Sequence, residues 1–195
     1  MTKRIFVMIT AFLCMASMAF AVEVHGVDMP DTIKVGNETL VLNGAGVREI
    51  YAIGLDVYVA GLYLKKRTSD AQAIINANET MALKIKIVTG LVTSEKFQKA
   101  TMEGFVEATG GNIEPIKKEI DIFLSAFSDE IHKGDVFDIQ YVKDVGVKVF
   151  KNGNPEPKVI VVGMPIKKAL FGIWLAHRSE KHLQVLAKHL LGLEK

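Results

Sequence analysis

The sequence of 195 residues has one cysteine, one tryptophan and five prolines, and it has almost no excess of charge of one sign. With 24 basic residues against 22 acidic ones, there is no electrostatic argument for a nucleic-acid partner. No segment has the roughly 20 uncharged apolar residues of a membrane span. Cys14 follows bulky Leu13, where bacterial lipoprotein processing requires a small residue, which argues against lipid attachment. The rest of the chain has no thiol, so it contains neither disulfides nor a cysteine metal site.

The first residues have the pattern of a secretory signal peptide. Lys3 and Arg4 precede a short apolar run, Ile5–Phe12, and small residues lead to Ala21. This order is typical of a signal peptide with an A-x-A cleavage site. The sequence therefore predicts a signal peptide over 1–21 and one exported, periplasmic domain over 22–195, whose basic and acidic residues are equal in number.

Hydrophobic periodicity and turn residues predict the elements of this domain. Strands are expected at 22–27, 39–42, 47–53, 57–64, 81–88, 135–143, 145–150 and 159–162. Helices are expected from Ser69 to about 78, from Thr93 to 108, from Pro115, from Pro165 to Trp174 and over 180–191. Residues 28–31 have turn chemistry, and Asn43–Gly46 is expected to loosen the backbone before a strand. This order of elements predicts an α+β fold with an antiparallel sheet.

Common enzyme and cofactor motifs are absent. Gly44 and Gly46 begin like a dinucleotide loop, but Glu49 stands where the third glycine belongs and a strand follows. No two of the histidines have the i, i+4 spacing with which one helix face shares a metal; they are His25, His132, His177, His182 and His189. We therefore predict no metal and no cofactor.

Arg48 is the residue most suited to binding chemistry, because it lies in an otherwise apolar hairpin. Its planar guanidinium can hold a carboxylate or an oxyanion. A hairpin that turns about Ile53 places Tyr58 opposite Arg48 on the same face. The pair would form a polar anchor at the end of an apolar pocket. Alternatively, Arg48 is a surface residue paired with Glu49 or Asp56, or part of a structural cross-strand pair.

Four segments of the chain are informative together: Asn43–Arg48, Val59–Leu64, Thr93–Lys96 and Ala169–Leu175. As a set they resemble the chalcone isomerase-like family, in its exported bacterial branch. The resemblance covers nearly all of the predicted mature chain in the same order. It implies an open-faced β-sandwich, in which a large antiparallel sheet packs against a helical layer and a cleft lies between them.

The resemblance also implies site residues, and most of them depart from the plant isomerases, which cyclise chalcones. Arg48 matches the family arginine that holds the phenolate. Tyr58 stands at the strand threonine, Thr93 at a tyrosine and Ala100 at an asparagine, while a substrate-lining position falls near Lys167. Because losing an oxyanion-directed donor typically costs about 100- to 1000-fold in rate, efficient chalcone cyclisation is not expected.

Non-catalytic members of the family bind fatty acids, with an arginine and a tyrosine on the carboxylate. Arg48 and Tyr58 fit that pattern better, and Thr93, Ala100 and Lys167 are the further ligand-binding candidates. Apolar residues of two helices could line the cleft, although most of them are expected to be plain core: Phe97, Met102, Phe105, Phe123 and Phe127.

Three functions follow as hypotheses. The first is a non-enzymatic binder of a fatty acid or similar amphipathic carboxylate. The second is an isomerase, an intramolecular lyase acting on an enone or phenolic substrate, with Arg48 as anion clamp and Tyr58 or Thr93 as donors. The third is a structural or partner-binding envelope protein, favoured if Arg48 pairs internally with a carboxylate. Lys65–Arg67 could contact an anionic membrane surface, but a solvated loop is the simpler interpretation. The sequence does not indicate an oligomeric state.

Overall fold

The computed structural model describes residues 21–50, 54–176 and 180–194. Its strands are β1 (Ala21–Val24), β2 (Val27–Pro30), β3 (Thr32–Val35), β4 (Glu38–Ile50), β5 (Leu55–Leu64), β6 (Met81–Ile87), β7 (Val136–Val142), β8 (Gly146–Lys151) and β9 (Val159–Val161). Its helices are α1 (Ala71–Asn76), α2 (Ser94–Ala108), α3 (Lys117–Ser125, after a 3₁₀ turn at Glu114–Ile116), α4 (Met164–Leu175) and α5 (Lys181–Leu190). Cys14, the hairpin turn at Ile53, His177 and residues 1–20 of the predicted signal peptide lie outside the described residues.

Strands β3 to β9 form a seven-stranded antiparallel sheet in which each strand pairs with its neighbours in sequence. Three helices lie in connections between strands: α1 joins β5 to β6, and α2 and α3 join β6 to β7. Helices α4 and α5 follow β9. β1 and β2 pair as a separate hairpin. Strands that are neighbours in sequence pair antiparallel throughout, including across the helical connections. The predicted fold class is confirmed.

Both faces of the sheet carry buried apolar residues. On the helical face, β5 to β9 and the helices share one core, whose largest members include Phe105, Phe123 and Phe137. On the other face, Met29 of β2 packs with Tyr63 and Leu40 in a smaller cluster. Residues 58 to 64 of β5 are therefore all buried, because each side of this strand faces one of the two clusters.

The register of the β4–β5 hairpin agrees with the prediction. Arg48 pairs with Tyr58, and the same spacing continues back to Gly44, which pairs with Leu62. Beyond Arg48 the register shifts by one residue, so that Glu49 pairs with Asp56. Directly opposite residues in an antiparallel pair share a face, so Arg48 and Tyr58 point to the same side of the sheet.

The prediction that Asn43–Gly46 loosens the backbone before a separate strand is wrong, because β4 runs through it with one register shift. The glycines here make room for α5. A Cβ added at Gly44 would lie 2.0 Å from the carbonyl oxygen of His189, and one at Gly46 would lie 2.7 Å from the His189 Cβ. Asn43 Nδ2 donates to the carbonyl of Leu190 over 2.7 Å, which ties the end of α5 to the strand.

The amino-terminal part of the domain differs from the prediction. A single strand was expected over 22–27, but β1 and β2 are separated by a turn at His25 and Gly26, both of which have positive φ. Of residues 28–31, which have turn chemistry, 28–30 lie in β2 and pair with β1. Cross-strand pairing has overridden local propensity here, as it often does in strands.

The helices begin near their predicted starts. Thr93 is the N-cap of α2, and Pro115 lies in the 3₁₀ turn before α3. The N-cap of α1 is Asp70, one residue after the predicted start at Ser69, and its Oδ1 accepts from the Ala73 N–H over 2.9 Å. Carboxylates and hydroxyls serve equally well at this position, so neighbouring candidates compete.

The basic cluster Lys65–Arg67 follows β5 and is exposed. Lys65 Nζ lies 2.6 Å from the Glu38 carboxylate, and Arg67 Nε donates to the carbonyl of Leu42 over 2.8 Å. Within the described ranges, no helix has both the length and the apolar character needed to cross a membrane.

Candidate functional site

A cavity of about 540 Å³ opens between the β4–β5 hairpin and helices α2, α4 and α5. Small-molecule sites usually measure about 300 to 1,000 Å³. Most of its walls are apolar, with charged groups at a few positions. The lining residues are Arg48, Ile50, Leu55, Val57, Tyr58, Leu91, Val92, Lys96, Phe97, Ala100, Thr101, Glu103, Glu107, Ile173, Trp174, Glu180 and Leu183.

Arg48 lies in the cavity wall and is already paired with a carboxylate. Its Nη2 donates to Glu180 Oε1 over 2.8 Å and to Oε2 over 3.0 Å, while Nη1 donates to the Glu49 carbonyl over 2.6 Å. The Arg48 side chain is 16% exposed and that of Glu180 is 42% exposed. The two carboxylates proposed from the sequence are not the ones that pair with Arg48. Glu49 contributes its backbone carbonyl, and the Asp56 carboxylate accepts from His25 over 2.9 Å.

Tyr58 faces the cavity with its hydroxyl held by a tryptophan. Trp174 Nε1 donates to the Tyr58 hydroxyl oxygen over 2.9 Å, and both residues are buried. The Tyr58 ring meets Phe97 edge-on, with 6.4 Å between ring centroids. A buried indole N–H usually has a hydrogen-bond partner. Trp174 lies in one of the segments that resemble the family, and it was the sequence signal from which a contact of this kind could have been expected. This hydrogen bond fixes the position of the Tyr58 hydroxyl in the cavity wall.

Of the five predicted binding residues, Arg48, Tyr58 and Ala100 line the cavity together. Thr93 is not among the lining residues, because it serves as the N-cap of α2 and its Oγ1 accepts from the Lys96 N–H over 3.3 Å. A capping side chain turns back toward its own helix, which draws it away from the cavity.

Lys167 lies away from the cavity and is fully buried on α4. Its Nζ donates to the carbonyls of Ile74, Ile75 and Ala77 over 2.7, 2.9 and 2.8 Å, at the end of α1. Burial lowers the pKa of Lys167 from 10.5 to about 8. Terminal carbonyls of a helix need donors, so this lysine holds α1 against α4.

The aromatic residues considered as possible lining lie mainly in the core. Phe97 lines the cavity, whereas Phe105, Phe123 and Phe127 are buried and absent from its wall. Phe97 is also part of the core, since its ring centroid lies 4.8 Å from that of Phe127. Met102 is partly buried against the same core. The expectation that most of these residues are plain core is confirmed.

Charged groups on the exposed side of α2 border the cavity. Lys96, Glu103 and Glu107 belong to its lining, and Lys96 Nζ donates to the Leu91 carbonyl over 3.3 Å. With Arg48 and Glu180, the lining has two cations and three carboxylates. Glu180 also lies 3.7 Å from His182 Nε2. In the described part of the chain, no group of three His, Cys, Asp or Glu side chains is arranged to hold a metal ion.

Comparisons with known proteins agree with this architecture. No curated protein matches the sequence. A crystal structure of an Arabidopsis thaliana fatty-acid binding protein matches the fold with a TM-score of 0.65 and 17% sequence identity, over 85% of this chain and 92% of that chain. A sequence model described as chalcone isomerase-like matches residues 21–192. Since that match spans nearly all the described structure, the chain belongs to the chalcone isomerase-like family.

Proposed function

We propose that this protein binds a fatty acid or a similar amphipathic carboxylate in the cavity, without catalysing a reaction. The observation that carries the proposal is the position of Arg48, a largely buried cation beside Tyr58 in a wall that is otherwise mainly apolar. Charge-assisted hydrogen bonds from a guanidinium orient a carboxylate, and each buried methylene contributes about 0.8 kcal/mol. The fold is also that of a protein named for fatty-acid binding.

The walls suit an alkyl tail. Val57, Phe97 and Ile173 come from β5, α2 and α4, so three separate elements contribute apolar surface to one space. A tail held there would lie next to Trp174, the chain's single tryptophan, whose emission is therefore a specific probe of occupancy.

Native mass spectrometry of protein purified from cells that make it, followed by denaturing extraction, tests the proposal. We expect a fatty acid at near-stoichiometric amounts. In a binding assay with dodecanoate, read by Trp174 emission, Arg48→Gln should weaken affinity by about 10- to 150-fold, because a charged hydrogen bond contributes roughly 1.5 to 3 kcal/mol. Arg67→Gln is the matched control, since this arginine bonds a backbone carbonyl outside the cavity. Equal losses in both variants would contradict the anchor.

A second candidate is a structural or partner-binding role without a small ligand. The Arg48–Glu180 ion pair favours it, because it satisfies the arginine inside the protein. Protein that releases no small molecule and shows no saturable response to dodecanoate would favour this candidate. The isomerase alternative stays a prediction.

A further inference from the structure

We infer that Glu180 is a replaceable partner of Arg48, which a ligand carboxylate displaces, and that this exchange selects carboxylates over uncharged amphiphiles of the same length. The inference rests on the proposed function and assigns a specificity-determining role to a residue that no sequence motif marks. It follows from the geometry of the pair, its unequal burial and its position in the fold.

The two oxygens of Glu180 occupy the donor that a ligand head group would use. Both lie within 3.0 Å of Arg48 Nη2, while Nη1 bonds the Glu49 carbonyl of the adjacent residue on β4. A ligand carboxylate has the same two oxygens and the same charge as the glutamate. Replacing one by the other leaves the guanidinium paired, whereas removing Glu180 alone would leave a cation uncompensated in a partly buried site.

The partners differ in how readily they can move. Arg48 lies in the part of β4 that pairs with β5, opposite Tyr58, and only 16% of its side chain is exposed, so it stays at the cavity. Glu180 is the residue before the first turn of α5, and 42% of its side chain is exposed. A change of rotamer therefore returns its carboxylate to water at little desolvation cost.

Movement of Glu180 also leaves the helix intact. Glu180 is the N-cap of α5, but its side chain makes no capping hydrogen bond. Opening the pair therefore breaks no capping hydrogen bond at the start of the helix. An uncharged amphiphile has no group to exchange for the glutamate, so it would have to bind with the ion pair in place and gain only from burying its tail.

The test compares dodecanoate with dodecanol in the full mature protein, with Trp174 emission as the readout. Glu180→Gln keeps the size of the side chain and removes its charge. We expect it to bind dodecanoate about three- to tenfold more tightly than the wild type does, and dodecanol within about twofold. Glu103→Gln removes the same charge from the cavity wall while keeping the Arg48–Glu180 pair, so it should produce a clearly smaller gain for dodecanoate. Far-UV circular dichroism checks that each variant is folded.

The outcomes separate this inference from the proposed function. Tighter dodecanoate binding only in Glu180→Gln supports the exchange, most strongly if the wild type binds weakly. If the wild type binds dodecanoate and Arg48→Gln weakens it, but Glu180→Gln gains no more than Glu103→Gln, the exchange is overturned and the proposed function stands. If neither the wild type nor Glu180→Gln binds either amphiphile, both are overturned.

Discussion

Replacing Gly44 by alanine tests whether the end of α5 rests directly on β4. The new Cβ would lie 2.0 Å from the His189 carbonyl oxygen and 2.8 Å from that of Leu190. An ordinary contact begins at 3.4 Å, so the end of α5 would have to retreat by about 1.4 Å. Backbone atoms cannot rotate away from the new methyl group. We therefore expect the free energy of unfolding to fall by about 3 kcal/mol, the upper end of the range for overpacked sites. Undocking of Leu190, which is fully buried, would add about 1.5 to 3 kcal/mol.

Two other glycines calibrate this result. In Gly46→Ala the added Cβ meets the His189 Cβ at 2.7 Å, a smaller overlap than at Gly44, so the loss of unfolding free energy should be smaller, about 1 to 2 kcal/mol. In Gly90→Ala the Cβ meets no atom within 4 Å, which makes it the matched control. Urea unfolding followed by the emission of Trp174, which is 4% exposed, gives the free energy of unfolding of each variant. If the free energy of unfolding of Gly44→Ala lies within about 0.5 kcal/mol of that of Gly90→Ala, the direct contact between the end of α5 and β4 is refuted.

Two predictions concern pH. Because burial lowers the pKa of Lys167 from 10.5 to about 8, the unfolded chain retains this proton to higher pH. The stability of the wild type relative to Lys167→Met should therefore rise by about 3 kcal/mol between those pH values. Burial raises the pKa of Asp135, but hydrogen bonds from Asn152, the His132 N–H and Lys151 outweigh it and hold the pKa at about 2. Relative to Asp135→Asn, the wild type should lose about 2 kcal/mol as the pH falls from about 4 to about 2. Urea unfolding across pH measures both differences, and a difference that does not change with pH would contradict the corresponding assignment.

Contacts between residues near in sequence were predictable at this site. Arg48 and Tyr58 lie on facing strands of one hairpin, and the turn between them sets their register, so counting residues was enough to pair them. Thr93 was predicted to begin α2 for a similar reason, since an N-cap bonds only backbone groups of its own helix. The segments that resemble the family could also be identified in the sequence, but the contacts that they make in the structure could not.

The sequence by itself therefore determined the α+β class, the antiparallel hairpins and the face on which the arginine lies. Only the tertiary structure decided what surrounds that arginine. Glu180 reaches Arg48 across 132 residues, and Trp174 reaches Tyr58 across 116. Lys167 lies away from the predicted site and donates to three carbonyls at the end of α1, which are 90 to 93 residues away in sequence. Partners so distant are selected by how the helices pack on the sheet, because periodicity and turn chemistry describe only an element and its immediate neighbours.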